Sequence, residues 1–355
     1  MLLELAKMFP EAPIYTLLYD EEKMGGWFAS EKVCSSFLQK FPRFLRVRHK
    51  YLLPFLPTAP ETFDLREFDL VISSSSAFAK GVVTRPRAVH VSYCHNPARF
   101  LWDYFFTYLD EQQLGGGRRL IIKMMLNYLR LWDRSASNRV DYFIANSKVT
   151  AERIKKFYRR EAKVIYPPVI MANSKGQAAK DDDKNTEKYY LIVSQLTPYK
   201  KIDVAIEAFN KLDLPLVVIG EGPQKKYLQK IAKSNIKIIG WQTDREVGNY
   251  YKNCEAFIFP GEDDFGIAPV EAMSFGKPVL ALRAGGALET IKEGITGEFF
   301  DAATPEVLAD GVRRLRENLA AYNSSVIRQW AETFSTERFK KEIIDFLREI
   351  GYNLL

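Results

Sequence analysis

The densest group of residues able to do chemistry is the run Phe259-Pro260-Gly261-Glu262-Asp263-Asp264-Phe265-Gly266-Ile267-Ala268-Pro269-Val270-Glu271-Ala272-Met273. An apolar stretch ends at Phe259, two glycines open the loop behind it, and Pro269 sits where a first helical turn tolerates a missing N–H. Such a loop delivers free backbone N–H groups and a helix N-terminus, which together attract phosphate. Carboxylates beside phosphate repel it, so Asp263 and Glu271 are better suited to accepting hydrogen bonds from sugar hydroxyls. From spacing alone a plainer reading stands beside this one: acidic loop decoration and a favourable charge at a helix N-terminus.

Residues used in this way need a sheet edge to hold them. From about 187 onward the sequence predicts strands over 189–193, 216–219, 236–239, 256–259 and 278–282, alternating with helices over 202–212, 224–232, 244–253 and 268–275. The strand segments are short apolar runs, broken only by Lys237 in 236–239, and the helical ones repeat apolar residues every three to four positions. That alternation implies a parallel sheet covered on both faces, and such sheets bind ligands at their carboxyl edge. The first half repeats the pattern with predicted strands over 13–18, 70–73, 88–93 and 140–145 and helices over 120–132 and 149–157. The expected fold class is α/β with two Rossmann-like domains. Their expected limits are 1–168 and 189–335, joined by an exposed linker over 169–188 around Asp181-Asp182-Asp183 and followed by a C-terminal helix within 336–355.

Composition agrees with a globular chain. Its 355 residues are 47% hydrophobic and 27% charged, enough for two cores and against disorder. No apolar run approaches the roughly 20 residues of a membrane-spanning helix, and Glu4 and Lys7 interrupt the apolar start, so neither a span nor a signal peptide is expected. Cys34, Cys94 and Cys254 are odd in number and widely spaced, which excludes a disulfide framework or zinc site and points to a reducing cytoplasm. Charge is uneven: residues 1–168 hold 26 basic and 17 acidic side chains, the remainder 25 and 27. Within the basic half, Lys40 to Phe55 interleaves cations with Phe41, Phe44, Leu45, Val47, Tyr51 and Phe55. This surface suits an anionic bilayer, or else is a solvated face packed by its own apolar residues. No nucleic-acid module accompanies the charge, so nucleic acid is not an expected partner.

The run around Asp263 resembles the donor-binding signature of the family 4 glycosyltransferases, retaining enzymes of the GT-B fold, in which two acids with seven residues between them surround a Phe-Gly pair. Further stretches agree with that family: Val193 to Asp203, the Gly220-Glu221-Gly222-Pro223 turn, Gly285-Gly286 followed by Glu289 and Gly294-Ile295-Thr296-Gly297, and in the first half Tyr93 to Asp103 and Ala145-Asn146-Ser147. The resemblance implies two Rossmann-like domains facing a cleft, with the C-terminal helix returning to the N-terminal domain. It also implies site roles. Glu271 holds the ribose hydroxyls, Asp263 contacts the transferred sugar, and Lys200 pairs with the diphosphate as an electrostatic catalyst. Phe265, Gly266 and Ile267 lie on the donor, the first two through their backbone. Gln195 belongs to the donor side, and Trp241 either walls the base pocket or is an ordinary packed aromatic. His95 faces the cleft near donor and acceptor, Arg99 meets an anionic acceptor or a nearby acid, and Ser147 caps a helix.

The same resemblance implies transfer of a hexose from a nucleoside diphosphate sugar to a lipid-linked or polysaccharide acceptor, with no metal or other cofactor. The His-Asn-Pro and Phe-Leu-Trp-Asp runs are similar to O-antigen mannosyltransferases, making mannose from GDP-mannose the first expectation. The alternatives are a UDP-sugar donor, a nucleotide-sugar epimerase of the same fold, or an inactive protein that binds nucleotide or membrane. The expected location is cytoplasmic, peripheral on the inner face of the plasma membrane. Two departures stand out: the family often carries Arg where Gln195 stands and Glu where Asp263 stands. A third concerns the start, where Leu2 to Phe9 reads as the latter part of a first helix, so the opening strand and Gly-rich loop are expected to be missing.

Overall fold

A computed structural model of the chain describes residues 1–24, 26–28, 30–111, 115–172 and 188–352. The greater part of the expected linker, with its three aspartates, lies outside the described residues. Contacts divide the chain into two units, Met1–Ile165 and Tyr166–Leu355.

The first unit contains strands β1 (Ile14–Thr16), β2 (Val33–Ser35), β3 (Leu70–Ser75), β4 (Val89–Cys94), β5 (Tyr142–Ala145) and β6 (Ala162–Val164). Its helices are α1 (Leu2–Met8), α2 (Glu21–Met24), α3 (Arg43–Val47), α4 (Thr58–Glu61), α5 (Phe105–Glu111), α6 (Gly116–Ser137) and α7 (Lys148–Tyr158). Among the described residues β3-β4-β5-β6 form one parallel sheet in that order, while β1 and β2 pair in parallel as a separate ladder. Strand β4 is central in that sheet, and His90 through Cys94 are all buried. Helix α7 starts where the Ser147 side chain accepts from the Thr150 amide at 3.1 Å, the N-cap its sequence implies, and buries Thr150, Ile154 and Tyr158 at one-turn spacing. The core of this unit is partly ionic. Lys80 and Asp133, each 1% exposed, form an ion pair, and the second Asp133 oxygen accepts from Trp102 Nε1 at 2.8 Å and the Tyr158 hydroxyl at 2.9 Å. A buried carboxylate is tolerable only with that degree of satisfaction.

The second unit contains β7 (Tyr190–Val193), β8 (Leu216–Ile219), β9 (Ile236–Ile239), β10 (Ala256–Phe259), β11 (Val279–Leu282) and β12 (Gly297–Phe300). The helices are α8 (Ile202–Leu212), α9 (Lys225–Ile231), α10 (Asp244–Asn253), α11 (Ile267–Ser274), α12 (Ala287–Thr290), α13 (Pro305–Glu317), α14 (Ser324–Glu332) and α15 (Thr336–Glu349). Among the described residues the strands form a parallel sheet in the order β12-β11-β10-β7-β8-β9. Side chains on successive positions go to opposite faces: Leu191, Val217, Phe257 and Val279 join one buried cluster with Tyr251, Val270, Met273 and Ile327. Tyr190, Ile192, Val218, Ile258 and Leu280 join the other with Ile206, Phe209, Leu308 and Val312. Each large aliphatic side chain buried in this way contributes about 1.5–3 kcal/mol, so the two clusters fix both the sheet and its helices. Helix α15 is tied to the start of this unit, with Arg338 donating to the carbonyls of Tyr166 at 2.9 Å and Pro167 at 3.2 Å.

Candidate functional site

The second sheet has a point where its winding reverses. From β7 the chain runs outward through β8 and β9, then returns to β10 on the other side of β7 and runs outward again. The loops leaving β7 and β10 therefore stand side by side at the carboxyl edge, where doubly wound sheets bind ligands. Here Lys200, at the end of the first loop, places Nζ 2.5 Å from Oδ2 of Asp263 on the second. The lysine side chain is 12% exposed and the aspartate 33%, so the pair sits at the edge of solvent.

Glycines allow these loops to approach. A Cβ on Gly261 would lie 2.7 Å from the Lys200 carbonyl oxygen, and one on Gly286 would lie 2.3 Å from the Phe265 Cα. The Gly286 amide donates to the Asp263 carbonyl at 2.9 Å, joining the loop after β11 to the other two. After β8, Gly220 and Gly222 press on Ser194 and Leu196, and the Leu196 amide donates to the Glu221 carbonyl at 2.9 Å.

Gly266, with φ 85°, is the N-cap of α11, a conformation that favours glycine. Phe265 is 3% exposed, its ring packed against Tyr166 and Phe334, so backbone is what it leaves to the loop. Ile267 opens the helix and is half exposed. Glu271, one turn on, accepts from the Tyr251 hydroxyl at 3.1 Å. Tyr251 is fully buried, and burial first, then the Glu271 charge, drives its phenol far above the usual range, which keeps it a donor. Gln195 is exposed on the loop after β7. Trp241 follows the edge strand β9 and is 73% exposed, which removes the packed-aromatic reading; its amide donates to Glu221 at 3.3 Å.

In the first unit His95 follows β4, again at a carboxyl edge. Its Nε2 lies 3.0 Å from the Ser74 hydroxyl, its amide donates to Ser75, and burial pushes its pKa down to about 4, so the imidazole is neutral near pH 7. Arg99 lies 3.5 Å from Asp103, which also pairs with Arg153 at 3.1 Å. This is the nearby acid that the sequence allowed for. Sequence reasoning missed Tyr251 and Ser74. Tyr251 reads as a core aromatic on an amphipathic helix, and Ser74 as one of four consecutive serines, 73–76, where β3 ends. Neither position shows where its hydroxyl points.

Two parallel α/β units, the second with its loops meeting at a winding reversal, define a GT-B architecture. The crystal structure of Anabaena Alr3699/HepE in complex with UDP superposes with a TM-score of 0.68 over 98% of this chain and 95% of that one, at 17% identity. Residues 5–172 match Glycosyltransferase Family 4 and residues 174–326 match Glycosyl transferases group 1. The chain belongs to the family 4 glycosyltransferases. Among curated relatives, an uncharacterized glycosyltransferase of Methanocaldococcus jannaschii is 28% identical over 58% of this chain and 58% of its own length. The GDP-mannose-dependent alpha-mannosyltransferase of Corynebacterium glutamicum is 28% identical over 42% of this chain and 38% of its own length. The chain thus spans less than two thirds of either relative.

Proposed function

We propose that this protein transfers a hexose from a nucleoside diphosphate sugar to a lipid-linked or polysaccharide acceptor with retention of anomeric configuration, and that GDP-mannose is the donor. The observation that carries this reading is the Lys200–Asp263 pair at the winding reversal. A lysine held there exchanges its carboxylate partner for the donor diphosphate and neutralises the charge that grows as the bond from anomeric carbon to phosphate oxygen breaks. The acceptor oxygen bonds to the same face of that carbon, and its proton passes to the departing phosphate. Asp263, freed from Lys200, accepts from sugar hydroxyls. Glu271 accepts from the ribose, Gln195 and Trp241 line the donor side, and the backbone of Phe265, Gly266 and Ile267 meets phosphate at the N-terminus of α11. His95 serves as a neutral hydrogen-bonding group near the transferred sugar, and Arg99 lies on the acceptor side.

The mannose assignment is supported by the Corynebacterium relative's name, while the Anabaena structure's UDP favours the second reading, a UDP-sugar donor. A panel of GDP- and UDP-sugars, incubated with the full chain and a polyprenyl-diphosphate-linked glycan, tests both. Transfer from GDP-mannose alone supports the first reading, and transfer from a UDP-sugar alone supports the second. Free sugar or an epimer without transfer refutes the transferase reading.

A further inference from the structure

Asp133 and Lys80 are buried charges that the proposed transfer does not use, and several segments converge on the carboxylate. Lys80, on the loop after β3, pairs with Oδ1, and both side chains are 1% exposed. Trp102, on the loop after β4, donates to Oδ2 at 2.8 Å, and Tyr158, on α7, donates to the same oxygen at 2.9 Å. Burial, then the Asp133 charge, holds the Tyr158 phenol far above its usual range, so it remains a donor. Lys80 also donates to the Ala77 carbonyl at 2.5 Å. Apolar residues of equal volume hold a core at least as well as a buried ion pair. What the charge adds is direction, because every donor must meet one carboxylate.

Two of those segments carry the ends of β3 and β4, where Ser74 and His95 meet. Next to Ser74, the Ser75 hydroxyl accepts from the Lys80 amide at 3.3 Å, so the loop that Lys80 anchors returns onto its own strand. The loop that starts at His95 is held along its length. Thr150 on α7 donates to the His95 carbonyl at 3.3 Å, and Arg130 on α6 donates to the Leu101 carbonyl at 2.6 Å. Arg130 and Asp133 stand three apart on one face of α6, a spacing that lets a donor and an acceptor grip the consecutive residues Leu101 and Trp102. Asp103, next in sequence, takes Arg99 and Arg153. The imidazole and the Arg99 guanidinium therefore belong to a loop whose far end is set by Asp133.

We propose that Asp133, through Trp102, is a positioning residue for His95 and Arg99, fixing the loop after β4 so that both side chains present one arrangement to the acceptor. The anchoring stands on its own geometry; that His95 and Arg99 serve sugar transfer rests on the function proposed above. Asp133→Asn would leave Lys80 buried without a counter-charge, so it is a poor probe. Trp102→Phe removes one donor and keeps a ring against Phe157, while Tyr158→Phe removes the other donor to the same oxygen from outside the loop. Misplacement by an ångström costs about 100-fold. Trp102→Phe should therefore lower kcat/KM for the polyprenyl-diphosphate-linked glycan at least about tenfold, with Kd for GDP or UDP within about twofold. Tyr158→Phe should stay within about threefold of wild type in both. Thermal midpoints should fall in both variants, which separates loop position from stability. The chain has three histidines, and His95→Gln assigns the nitrogen-15 resonance of His95 by its loss. The Nε2 shift, which reports the contact with Ser74, should move in Trp102→Phe and not in Tyr158→Phe. Equal loss of transfer in the two variants, unchanged transfer by Trp102→Phe, or an unmoved His95 resonance overturns the proposal. A moved resonance in a protein that transfers no sugar leaves the loop anchor standing and refutes the transferase reading; wild-type transfer with an unmoved resonance does the reverse.

Discussion

Lys200 Nζ and Asp263 Oδ2 meet at 2.5 Å across two loops that the winding of the sheet makes neighbours. The carboxylate occupies the lysine where an anionic ligand would bind, so the two compete for one cation. Asp263→Asn should therefore tighten binding of GDP or UDP by about three- to tenfold, a gain of roughly 1 kcal/mol. Turnover should fall at least tenfold through loss of the sugar contact proposed for Asp263. Calorimetric titration of the nucleotide with wild type and variant checks this, and weaker binding by the variant would contradict it.

In the proposed function, where Glu271 holds the ribose, Tyr251 acts on the donor through Glu271. Tyr251→Phe keeps the ring stacked on Phe275 but removes the hydroxyl that donates to the carboxylate. A hydrogen bond to a charged group contributes about 1.5–3 kcal/mol, so donor KM should rise about tenfold while kcat stays within about threefold. A purely structural role would instead lower thermal stability and leave KM unmoved.

Gly261 lets the two loops touch. In Gly261→Ala the new methyl meets the Lys200 backbone, and the β10 loop must shift away. An ångström of misplacement costs about 100-fold in a positioned reaction, so activity should drop by one to two orders of magnitude with an unchanged circular dichroism spectrum. Activity within about twofold of wild type would show that the loops are free to adjust.

His90, buried, and His95, partly buried, make the stability of the first unit depend on pH. Burial holds His90 and His95 at about 4, against 6.5 for a free imidazole. The unfolded chain takes up these protons as pH falls through about 6.5, and the folded chain only near 4. Their contribution, about 3 kcal/mol each at full extent, is complete above pH 6.5 and is lost as pH drops from there to 4. Urea unfolding at pH 7 and pH 5 should show a lower midpoint at pH 5, with a smaller difference in His90→Gln. An equal difference in the variant would assign the effect to other groups.

The second unit was the more legible in sequence. Strands buried on both faces leave unbroken apolar runs, and β8 and β10 end where those runs end. Helix α8 likewise follows its periodic positions from Ile202 to Leu212. In the first unit β2 and β6 span three residues each, too short to show alternation, and the sequence reading omitted them. Spacing marked the loop carrying Asp263 and the helix carrying Glu271, because glycine and proline placement is a backbone requirement. The Lys200–Asp263 contact needs the strand order, since 63 residues separate the partners, and strand order is not written in local pattern. Trp241 illustrates the same limit: its type suits either a core or a ligand wall, and only its place after an edge strand shows that it is exposed.

The most direct test of the account is donor turnover by Lys200→Ala beside wild type under saturating GDP-mannose or whichever donor the panel selects. Removing one fixed charge from a developing phosphate costs about 100- to 1,000-fold in kcat, and that loss is predicted, with the fold retained by circular dichroism. A folded Lys200→Ala protein that turns over within about threefold of wild type would contradict the assignment of this loop pair as the donor-activating site.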